Sequence, residues 1–227
     1  MKIGIIGAGQ IGGTLTRRLT QLGHEVWVAN SRGPDTLRDL ARETGAHAAT
    51  AQEAARAGEL VIVSVPEKAV PLLPKGLFAG VPDDVVVVDT GNYYPRERDG
   101  RIEPIEAGET ESGWVSQVLG RPVIKAFNVI YAGKLMSAGK PKGTPGRIAL
   151  PVAGDDRRGR QLVMRLIDEL GFDPVDAGRL DESWRQQPGT PVYGAALDAA
   201  ATERALAQAG RDRPPAFRAE EGAGAPA

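Results

Sequence analysis

Three glycines near the start of the chain are spaced as in a turn that binds a dinucleotide. Gly7, Gly9 and Gly12 form the pattern Gly-x-Gly-x-x-Gly directly after the apolar residues 3–6. That run is short and β-branched, as in a buried strand, and the leucines that follow the glycines recur at helical spacing. In such a turn the glycines permit a sharp bend, a close approach of backbone to a pyrophosphate, and packing of helix on strand. The motif predicts a dinucleotide site that includes Gly7, Gly9, Gln10, Ile11 and Gly12.

The end of the second predicted strand has no acidic side chain. Folds that bind NAD usually place Asp or Glu there, roughly 20 residues beyond the glycines, to bond the ribose 2′-hydroxyl. This chain has Asn30, Ser31 and Arg32 instead. A hydroxyl and a guanidinium can bind a 2′-phosphate, which a carboxylate would repel, so we expect NADP(H). The alternative is that Asp35 takes the acidic role and Arg32 is a solvated charge. We favour NADP(H) because Asp35 lies beyond Pro34, inside the next predicted helix.

Predicted strands alternate with predicted helices along most of the chain. This alternation predicts an α/β fold of the Rossmann type: a doubly wound, mainly parallel sheet with a short C-terminal helical arm. Residues 96–113 are charged and rich in turn formers, and we expect them to form a surface excursion. The predicted strands span residues 3–6, 25–30, 46–50, 59–66, 85–89, 121–128, 147–153 and 172–176.

The chain of 227 residues divides by composition into three parts. We expect residues 1–178 to form the NADP-binding Rossmann domain, since the alternation of strands and helices ends there. Residues 179–210 are expected to form an irregular arm that leads into an alanine-rich helix over residues 194–209. Residues 211–227 are rich in Pro, Gly, Ala and charged residues, which predicts a disordered tail.

Ligands of a parallel sheet bind beyond the carboxyl ends of its strands, and the residues there are small, amide or apolar. Such a lining suits two flat rings held together for hydride transfer, because the cofactors supply the chemistry. We expect residues 128–130 to position the reacting rings and the other strand-end residues to contact the cofactor. These candidates are Ser64, Val65, Pro66, Asp89, Gly91, Asn92, Asn128, Val129 and Ile130.

Several of these residues could instead have purely structural roles, such as capping or core packing. Asn92 and Asn128 are as well suited to capping a loop or helix as to contacting a ligand, and Asp89 could cap the loop after its strand. Tyrosines could stack on a bound ring or seal the core. The sequence leaves both possibilities open for Tyr93, Tyr94 and Tyr131.

Composition and placement exclude several classes of chemistry and partner. The chain has no cysteine, and His24 and His47 precede predicted strands, which places them at the edge opposite the ligand. We therefore expect neither thiol chemistry nor histidine catalysis nor a metal. A formal net charge of −1 with scattered basic residues predicts no nucleic-acid or membrane partner, and together with the lack of cysteine it favours a cytoplasmic protein.

Seven segments of the chain together resemble the NADPH-dependent F420 reductase family, also called F420-dependent NADP oxidoreductases. The resemblance covers residues 1–178 and implies NADP(H), an acceptor such as F420 or FMN/FAD, and a homodimer. Residues 125–128 are also similar to the cytoplasmic reductase domain of the six-transmembrane metalloreductases. The matching segments are residues 7–12, 30–32, 63–66, 89–92, 123–128, 151–156 and 171–178.

We therefore expect an oxidoreductase that moves hydride between NADP(H) and a deazaflavin or flavin acceptor, a small molecule. The alternatives are an NADPH-dependent imine or β-hydroxyacid reductase and a non-catalytic NADPH sensor. Two sets of polar residues stay open. Arg185, Gln186 and Gln187 could face the acceptor or belong to a packed arm, and a loop with Lys140, Lys142 and Arg147 could meet phosphates or be solvated.

Overall fold

The computed structural model describes residues 1–220, which form one eight-stranded sheet with helices on both faces. The longest described helix has 13 residues, and no helix of residues 1–220 has the length and apolar character needed to cross a membrane. The strands are β1 (Lys2–Ile6), β2 (Glu25–Ala29), β3 (His47–Ala49), β4 (Leu60–Val63), β5 (Val86–Asp89), β6 (Val123–Lys125), β7 (Ala149–Ala153) and β8 (Asp173–Gly178). The helices are α1 (Gln10–Gln21), α2 (Arg38–Thr44), α3 (Ala51–Arg56), α4 (Glu103–Glu106), α5 (Glu111–Leu119), α6 (Ala132–Ser137), α7 (Arg157–Glu169) and α8 (Ala199–Ala207).

The order of the strands creates a crevice beside β1. The order is β3-β2-β1-β4-β5-β6-β7-β8, so the chain runs outward from β1 in one direction and from β4 in the other. The neighbouring pairs are parallel except for β6 and β7. Such a reversal leaves a ligand crevice at the carboxyl ends of the two central strands. The predicted α/β fold with a doubly wound, mainly parallel sheet is confirmed.

The fourth strand shows why the central strands are apolar throughout. Leu60 and Ile62 pack into the core that α1, α7 and α8 cover, whereas Val61 and Val63 pack into the core that α3 and α5 cover. Successive side chains of a strand point to opposite faces of the sheet. Alternate residues of one strand therefore hold a helical layer on each face, which positions the strand ends rigidly.

The sixth strand is shorter than predicted, and at its C-terminal end the reason is a backbone turn at Phe127. We expected a strand over residues 121–128, but β6 covers only Val123–Lys125. Phe127 has a φ of 63°, which lies in the left-handed region that bulky side chains rarely adopt. Its side chain is fully buried, so ring packing holds the turn in place. The turn ends the strand and carries Asn128 to the crevice.

Residues 96–113 are part of the folded body rather than a surface excursion. Asp99 and Ile105 are buried, and the Asp99 carboxylate accepts a hydrogen bond from the backbone N–H of Tyr94 at 2.8 Å. Some of the charges that made the segment resemble a loop form local pairs, such as Arg101 with Glu103 at 2.7 Å. The expectation of a surface excursion was wrong because these side chains satisfy each other or the backbone.

The beginning of the predicted disordered tail packs on the protein. Pro215–Phe217 form a 3-10 turn, and the Arg213 guanidinium lies 2.9 Å from the Glu111 carboxylate. The expectation of disorder was therefore wrong for residues 211–220, and residues 221–227 lie outside the described residues. A segment of this composition cannot build its own core, but it can pack on a core that exists already.

Arg147 ties a glycine- and proline-rich loop to the second half of the sheet. Its guanidinium donates hydrogen bonds to the carboxylates of Asp168 and Asp173 at 2.7 and 2.6 Å and to the Lys140 carbonyl at 3.0 Å. Only 2% of the Arg147 side chain is exposed, whereas Lys142, which also pairs with Asp168, is 81% exposed. The sequence left open whether this loop meets phosphates or is solvated. In the structure Arg147 is buried and holds the loop in place, whereas Lys142 is solvated.

We expect Arg147→Gln to lower the free energy of unfolding by about 1.5–3 kcal/mol, since hydrogen bonds to charged groups contribute about that much. Lys142→Gln is the matched control and should change it by no more than about 0.5 kcal/mol, because exposed ion pairs contribute little. Denaturant unfolding of the two variants measures both values. Equal losses would show that Arg147 does not hold the loop.

Candidate functional site

The three glycines of the first turn meet different surroundings. A Cβ on Gly7 would lie 2.1 Å from the Ser64 carbonyl oxygen, and a Cβ on Gly12 would lie 1.8 Å from the Gly7 carbonyl oxygen. A Cβ on Gly9 would have no atom within 4 Å. Helix α1 begins at the next residue, Gln10, and its first N–H groups have no partner within the helix. The turn is closed by packing at two glycines and open at Gly9, where a phosphate can approach the backbone.

A first cavity of about 660 Å³ extends from Gly9 to the end of β2. Its volume lies within the roughly 300–1,000 Å³ that is usual for small-molecule sites. Its walls come from the ends of β1, β2 and β4 and from residues 69–74. Eight of the predicted cofactor residues line it: Gly7, Gly9, Asn30, Ser31, Arg32, Ser64, Val65 and Pro66.

Asn30 shapes the turn that presents Ser31 and Arg32 to the first cavity. Its side-chain oxygen accepts a hydrogen bond from the backbone N–H of Arg32 at 2.9 Å. Ser31 and Arg32 are both exposed there. Asp35 instead pairs with Arg38, at 2.5 Å, and does not line the cavity. The lining therefore offers a hydroxyl and a guanidinium, as the NADP(H) hypothesis requires, whereas the Asp35 carboxylate is not part of it.

A second cavity of about 460 Å³ adjoins the first. The two cavities share Gly9, Ser64, Val65 and Pro66. The ends of β1, β4, β5 and β6 thus meet at one crevice, as the strand order requires. The remaining predicted residues that line the second cavity are Gln10, Ile11, Gly91, Asn92, Asn128 and Ile130.

Three predicted site residues lie behind the lining rather than in it. Gly12 is buried where α1 packs on the turn. Val129 belongs to the hydrophobic core, and its carbonyl accepts a hydrogen bond from Gly194 N at 2.9 Å. The buried Asp89 carboxylate accepts one from Gly91 N at 2.8 Å. Neither Val129 nor Asp89 lines either cavity, and Asp89 caps the loop after its strand. The assignments of Val129 to the reacting rings and of Asp89 to the cofactor stay predictions.

The side-chain amides of Asn92, Asn128 and Gln186 form one hydrogen-bonded group at the edge of the second cavity. Asn128 Nδ2 donates to Asn92 Oδ1 at 3.1 Å and to the Gln186 carbonyl at 2.7 Å. Gln186 Nε2 donates to Asn128 Oδ1 at 2.9 Å. The amide of Asn128 is thus satisfied inside the protein, so it orders the cavity wall.

The segment that contains Arg185 and Gln187 follows the packed-arm alternative. Arg185 pairs with Glu182, and its guanidinium lies 5.8 Å from the ring centre of Trp184. The Gln187 oxygen accepts a hydrogen bond from Arg213 at 3.3 Å. Neither Arg185 nor Gln187 lines the second cavity. The arm therefore supports the site through Gln186 rather than facing a ligand with its charges.

Aromatic side chains complete the second cavity. Tyr94, Tyr131 and Tyr193 line it, the hydroxyls of Tyr94 and Tyr193 are in contact, and Tyr131 meets Tyr193 edge to face with ring centres 6.5 Å apart. The Arg98 guanidinium lies 5.2 Å from the Tyr94 ring centre. Burial raises the pKa of the Tyr94 and Tyr193 hydroxyls, so both stay neutral hydrogen-bonding groups. Tyr93 differs, since it is fully buried in the core.

Arg98 and Tyr193 were not among the predicted site residues although both line the second cavity. Arg98 lies in the stretch that resembled a surface loop, and Tyr193 lies far along the chain from Tyr94, the tyrosine whose hydroxyl it contacts. The only local signal was the irregular, polar character of the Tyr193 segment.

A buried lysine lies beneath the lining and was also missed. Lys125 is fully buried, and its Nζ donates to the Gly91 carbonyl at 2.6 Å and to Asp89 at 3.2 Å. Glu111 lies 3.9 Å from the same Nζ and 2.9 Å from the Arg213 guanidinium. Burial raises the pKa of the Glu111 carboxyl, and the two cations oppose the rise. A lysine that ends an apolar strand was the available signal, because buried lysines need a partner.

Glu67 adds an unpaired carboxyl to this group. It is fully buried directly after Pro66, and neither of its carboxyl oxygens has a hydrogen-bond partner. Burial, reinforced by the nearby Asp89, raises the pKa of Glu67 well above 4.5. With Glu67 neutral, the positive charges of Lys125 and Arg213 balance the negative charges of Asp89 and Glu111.

The two histidines lie away from the crevice. His24 contacts the chain's amino group at 3.1 Å and Glu169 at 3.1 Å, and His47 stacks on Trp27 with ring centres 4.7 Å apart. Among residues 1–220 there is also no group of three or more acidic, His or Cys side chains placed to hold a metal ion.

We expect Glu67→Gln to stabilise the protein at pH 7 but not at pH 4. The folded state holds the Glu67 proton more tightly than the unfolded chain, so the raised pKa costs stability as the pH rises above 4.5. If the substitution raises the free energy of unfolding at pH 7 by about 1 kcal/mol, Tm at that pH rises by about 2–4 °C. Thermal unfolding at both pH values measures the difference, with the exposed Glu97→Gln as control. A Tm gain that does not change with pH would contradict a neutral Glu67.

Residues 2–93 match the family model described as NADP oxidoreductase, coenzyme F420-dependent. This region contains the glycine turn, the Asn30–Arg32 turn and the lining residues up to Asn92, and it is the NADP-binding oxidoreductase domain of that family. The predicted resemblance is confirmed for the part of the chain that forms the first cavity and the β5 side of the second.

Relatives extend the match beyond this region. The chain is 31% identical to hypothetical protein SMa0349 of Sinorhizobium meliloti, with a TM-score of 0.73 over 87% of this chain and 95% of that one. It is 45% identical over 86 residues to protein YjhV of Escherichia coli (strain K12), which is 36% of this chain and 63%, less than two thirds, of YjhV. A protein of Arthrobacter sp. FB24 described as an F420-dependent NADP reductase shares the fold, with a TM-score of 0.64, 24% identity, and coverage of 79% of this chain and 85% of that one. Residues 2–93 therefore belong to the family described as NADP oxidoreductase, coenzyme F420-dependent, and the chain as a whole is related to SMa0349 of Sinorhizobium meliloti.

Proposed function

We propose that the protein transfers hydride between NADP(H) in the first cavity and a ring acceptor, a deazaflavin such as F420 or a flavin, in the second. The observation that carries the proposal is that the two cavities adjoin and share Gly9, Ser64, Val65 and Pro66. A dinucleotide whose pyrophosphate lies at Gly9 has room to extend in both directions. Its 2′-phosphate end would lie toward Arg32 and its nicotinamide end toward the second cavity.

The residues of the first cavity fit NADP(H). Gly9 leaves space for a pyrophosphate where any side chain would intrude. Ser31 and Arg32 offer a hydroxyl and a guanidinium, a combination that suits a phosphate monoester. Asn30 holds both on a hydrogen-bonded turn, so less conformational entropy is lost on binding. These features support NADP(H) over NAD(H).

The second cavity fits a flat ring. NADPH in the first cavity would supply the hydride, and the acceptor ring would take up that whole hydride together with one proton from solvent. The protein's part is to hold the two rings in contact and exclude water. Val65, Pro66 and Ile130 provide apolar lining, and Tyr94 with Tyr193 provides hydroxyls. Because one hydroxyl of that pair donates to the other, one O–H is left to donate to the acceptor.

The organisation of the chain follows from this proposal. We propose that residues 1–178 are the NADP-binding domain and residues 179–210 an arm that supports the acceptor side. A homodimer and a cytoplasmic location remain proposals that the resemblance and the composition suggest. Asn128 and Ile130 are proposed to position the rings, Asn128 through its amide network and Ile130 by direct contact.

We expect Arg32→Ala to weaken NADPH binding about tenfold or more, because loss of a charge-assisted hydrogen bond costs about 1.5–3 kcal/mol. NADH lacks the 2′-phosphate, so its affinity should change less than about threefold. Titration of each dinucleotide by fluorescence gives both constants. Arg38→Ala, on the same surface but paired with Asp35, is the control and should affect neither. Equal losses for the two dinucleotides would remove the 2′-phosphate assignment.

The acceptor is tested by mixing the protein with NADPH and F420, FMN, FAD, ferric chelates and small imines, and following NADPH oxidation. We expect turnover with the deazaflavin or flavins. Gly9→Ala should fold normally but lose most turnover, since its methyl group would fill the space beside the pyrophosphate. Gly133→Ala, on open surface, is the matched control. Turnover with imines alone would favour the imine reductase alternative, and NADPH binding without any turnover would favour the sensor.

A further inference from the structure

Residues 211–220, which we call the C-terminal segment, lie against the acceptor side of the crevice. The lining of the first cavity comes from residues 6–74. The C-terminal segment instead contacts Glu111, Gln187 and Tyr94, which surround or line the second cavity. These contacts lie on the acceptor side of the site, and none of them is made to a residue that lines the first cavity.

The first contact is a chain of buried charges. Arg213 donates to the fully buried Glu111 at 2.9 Å, and Glu111 lies 3.9 Å from Lys125. Lys125 donates to the Gly91 carbonyl at 2.6 Å, and Gly91 lines the second cavity. Two side chains, Glu111 and Lys125, therefore connect Arg213 to the cavity lining, and both are shielded from water, where charged groups interact strongly.

The second contact is made by Phe217. Its ring centre lies 6.4 Å from that of Tyr94, and Tyr94 holds Tyr193 through their hydroxyls. A Cβ on Gly189 would lie 2.8 Å from the Phe217 ring, so the ring packs tightly on the arm. Arg96 fastens the segment by donating to the Arg218 carbonyl at 2.9 Å. Phe217 is thus packed between the arm and the tyrosine wall.

We propose that the C-terminal segment completes the acceptor side of the site and that Arg213 is a positioning residue for the acceptor. The inference rests on the proposed function. Arg213 acts through Glu111 and Lys125 on the Gly91 loop, and Phe217 supports the wall of Tyr94. The binding of NADP(H) in the first cavity does not depend on the segment.

The charges predict a specific pattern among variants. Arg213→Gln leaves Glu111 and Asp89 with only Lys125 to balance them, which is one negative charge in excess. Glu111→Gln leaves one positive charge in excess. The double variant leaves Lys125 with Asp89, a balanced pair. An uncompensated buried charge is far more costly than a missing pair, so the double variant should be closer to the wild type than Arg213→Gln is.

The experiment compares Arg213→Gln, Arg213→Gln with Glu111→Gln, and Phe217→Ala, with Arg211→Gln as the matched control. Arg211 is an exposed arginine of the same segment that lies over the Trp184 ring at 5.8 Å. Three quantities are measured: NADPH affinity, the acceptor KM, and hydrogen exchange at the backbone amides of Gly91 and Tyr94. These amides donate to Asp89 and Asp99, both at 2.8 Å.

In Arg213→Gln we expect the two amides to exchange about tenfold faster or more and the acceptor KM to rise by a similar factor, because local opening becomes easier. NADPH affinity should stay within about twofold of the wild type, and the double variant should recover part of the loss. Phe217→Ala should raise the acceptor KM and speed exchange at Tyr94. Phe217→Ala tests the C-terminal segment without changing a buried charge. If Arg213→Gln does not fold, this variant alone decides whether the segment supports the acceptor side of the site.

The inference is overturned if Arg213→Gln and Phe217→Ala both match Arg211→Gln in exchange and acceptor KM, or if they weaken NADPH as much as the acceptor. Its failure is distinct from failure of the proposed function. If the wild type does not oxidise NADPH with any of the acceptors tested, the proposed function fails. In that case unchanged exchange at Gly91 and Tyr94 overturns the inference as well, whereas faster exchange limits it to ordering of the wall.

Discussion

The site depends on a lysine ammonium group that is buried away from solvent. Lys125 ends a strand buried on both faces, and its ammonium is stable there because Asp89 and the Gly91 carbonyl lie within 3.2 and 2.6 Å. Asp89 in turn holds the Gly91 amide and the Ser112 hydroxyl. One interaction thus joins β5, β6, the start of α5 and the loop that lines the second cavity. Since each buried charge needs its partner, these elements cannot shift independently.

The crevice has two parts because of the order of the strands. The chain leaves β1 in one direction and β4 in the other, so the ends of these neighbouring strands are free of a covering connection. Gly9 and residues 64–66 lie at that point and line both cavities. On one side β2 brings Ser31 and Arg32, and on the other β5 and β6 bring amides and tyrosines. This division is the basis for the proposal of a phosphate-binding half beside a ring-binding half.

Prediction succeeded where the chemistry is local. The glycine turn, the Asn30–Arg32 turn and the residues after β4 lie next to the strands that position them, and all but Gly12 line the crevice. It failed where a partner lies far along the chain. Asp89 resembled a ligand contact but is engaged by Lys125. Residues 211–220 resembled a disordered tail because their partners Glu111 and Tyr94 lie a hundred or so residues earlier in the chain.

The sequence by itself determined the fold class, the glycine turn after the first strand, and the presence of a hydroxyl and a guanidinium in place of an acidic residue after the second strand. Periodicity, glycine spacing and the charge of neighbouring side chains act over a few residues, so they can be read from the chain in order. Only the tertiary structure decided which polar groups face the crevice and which balance each other beneath it. Whether a carboxylate binds a ligand or caps a loop depends on what surrounds it in space. Asp89 is surrounded by Lys125, and Glu111 by Lys125 and Arg213. These partners come close only when the sheet has folded.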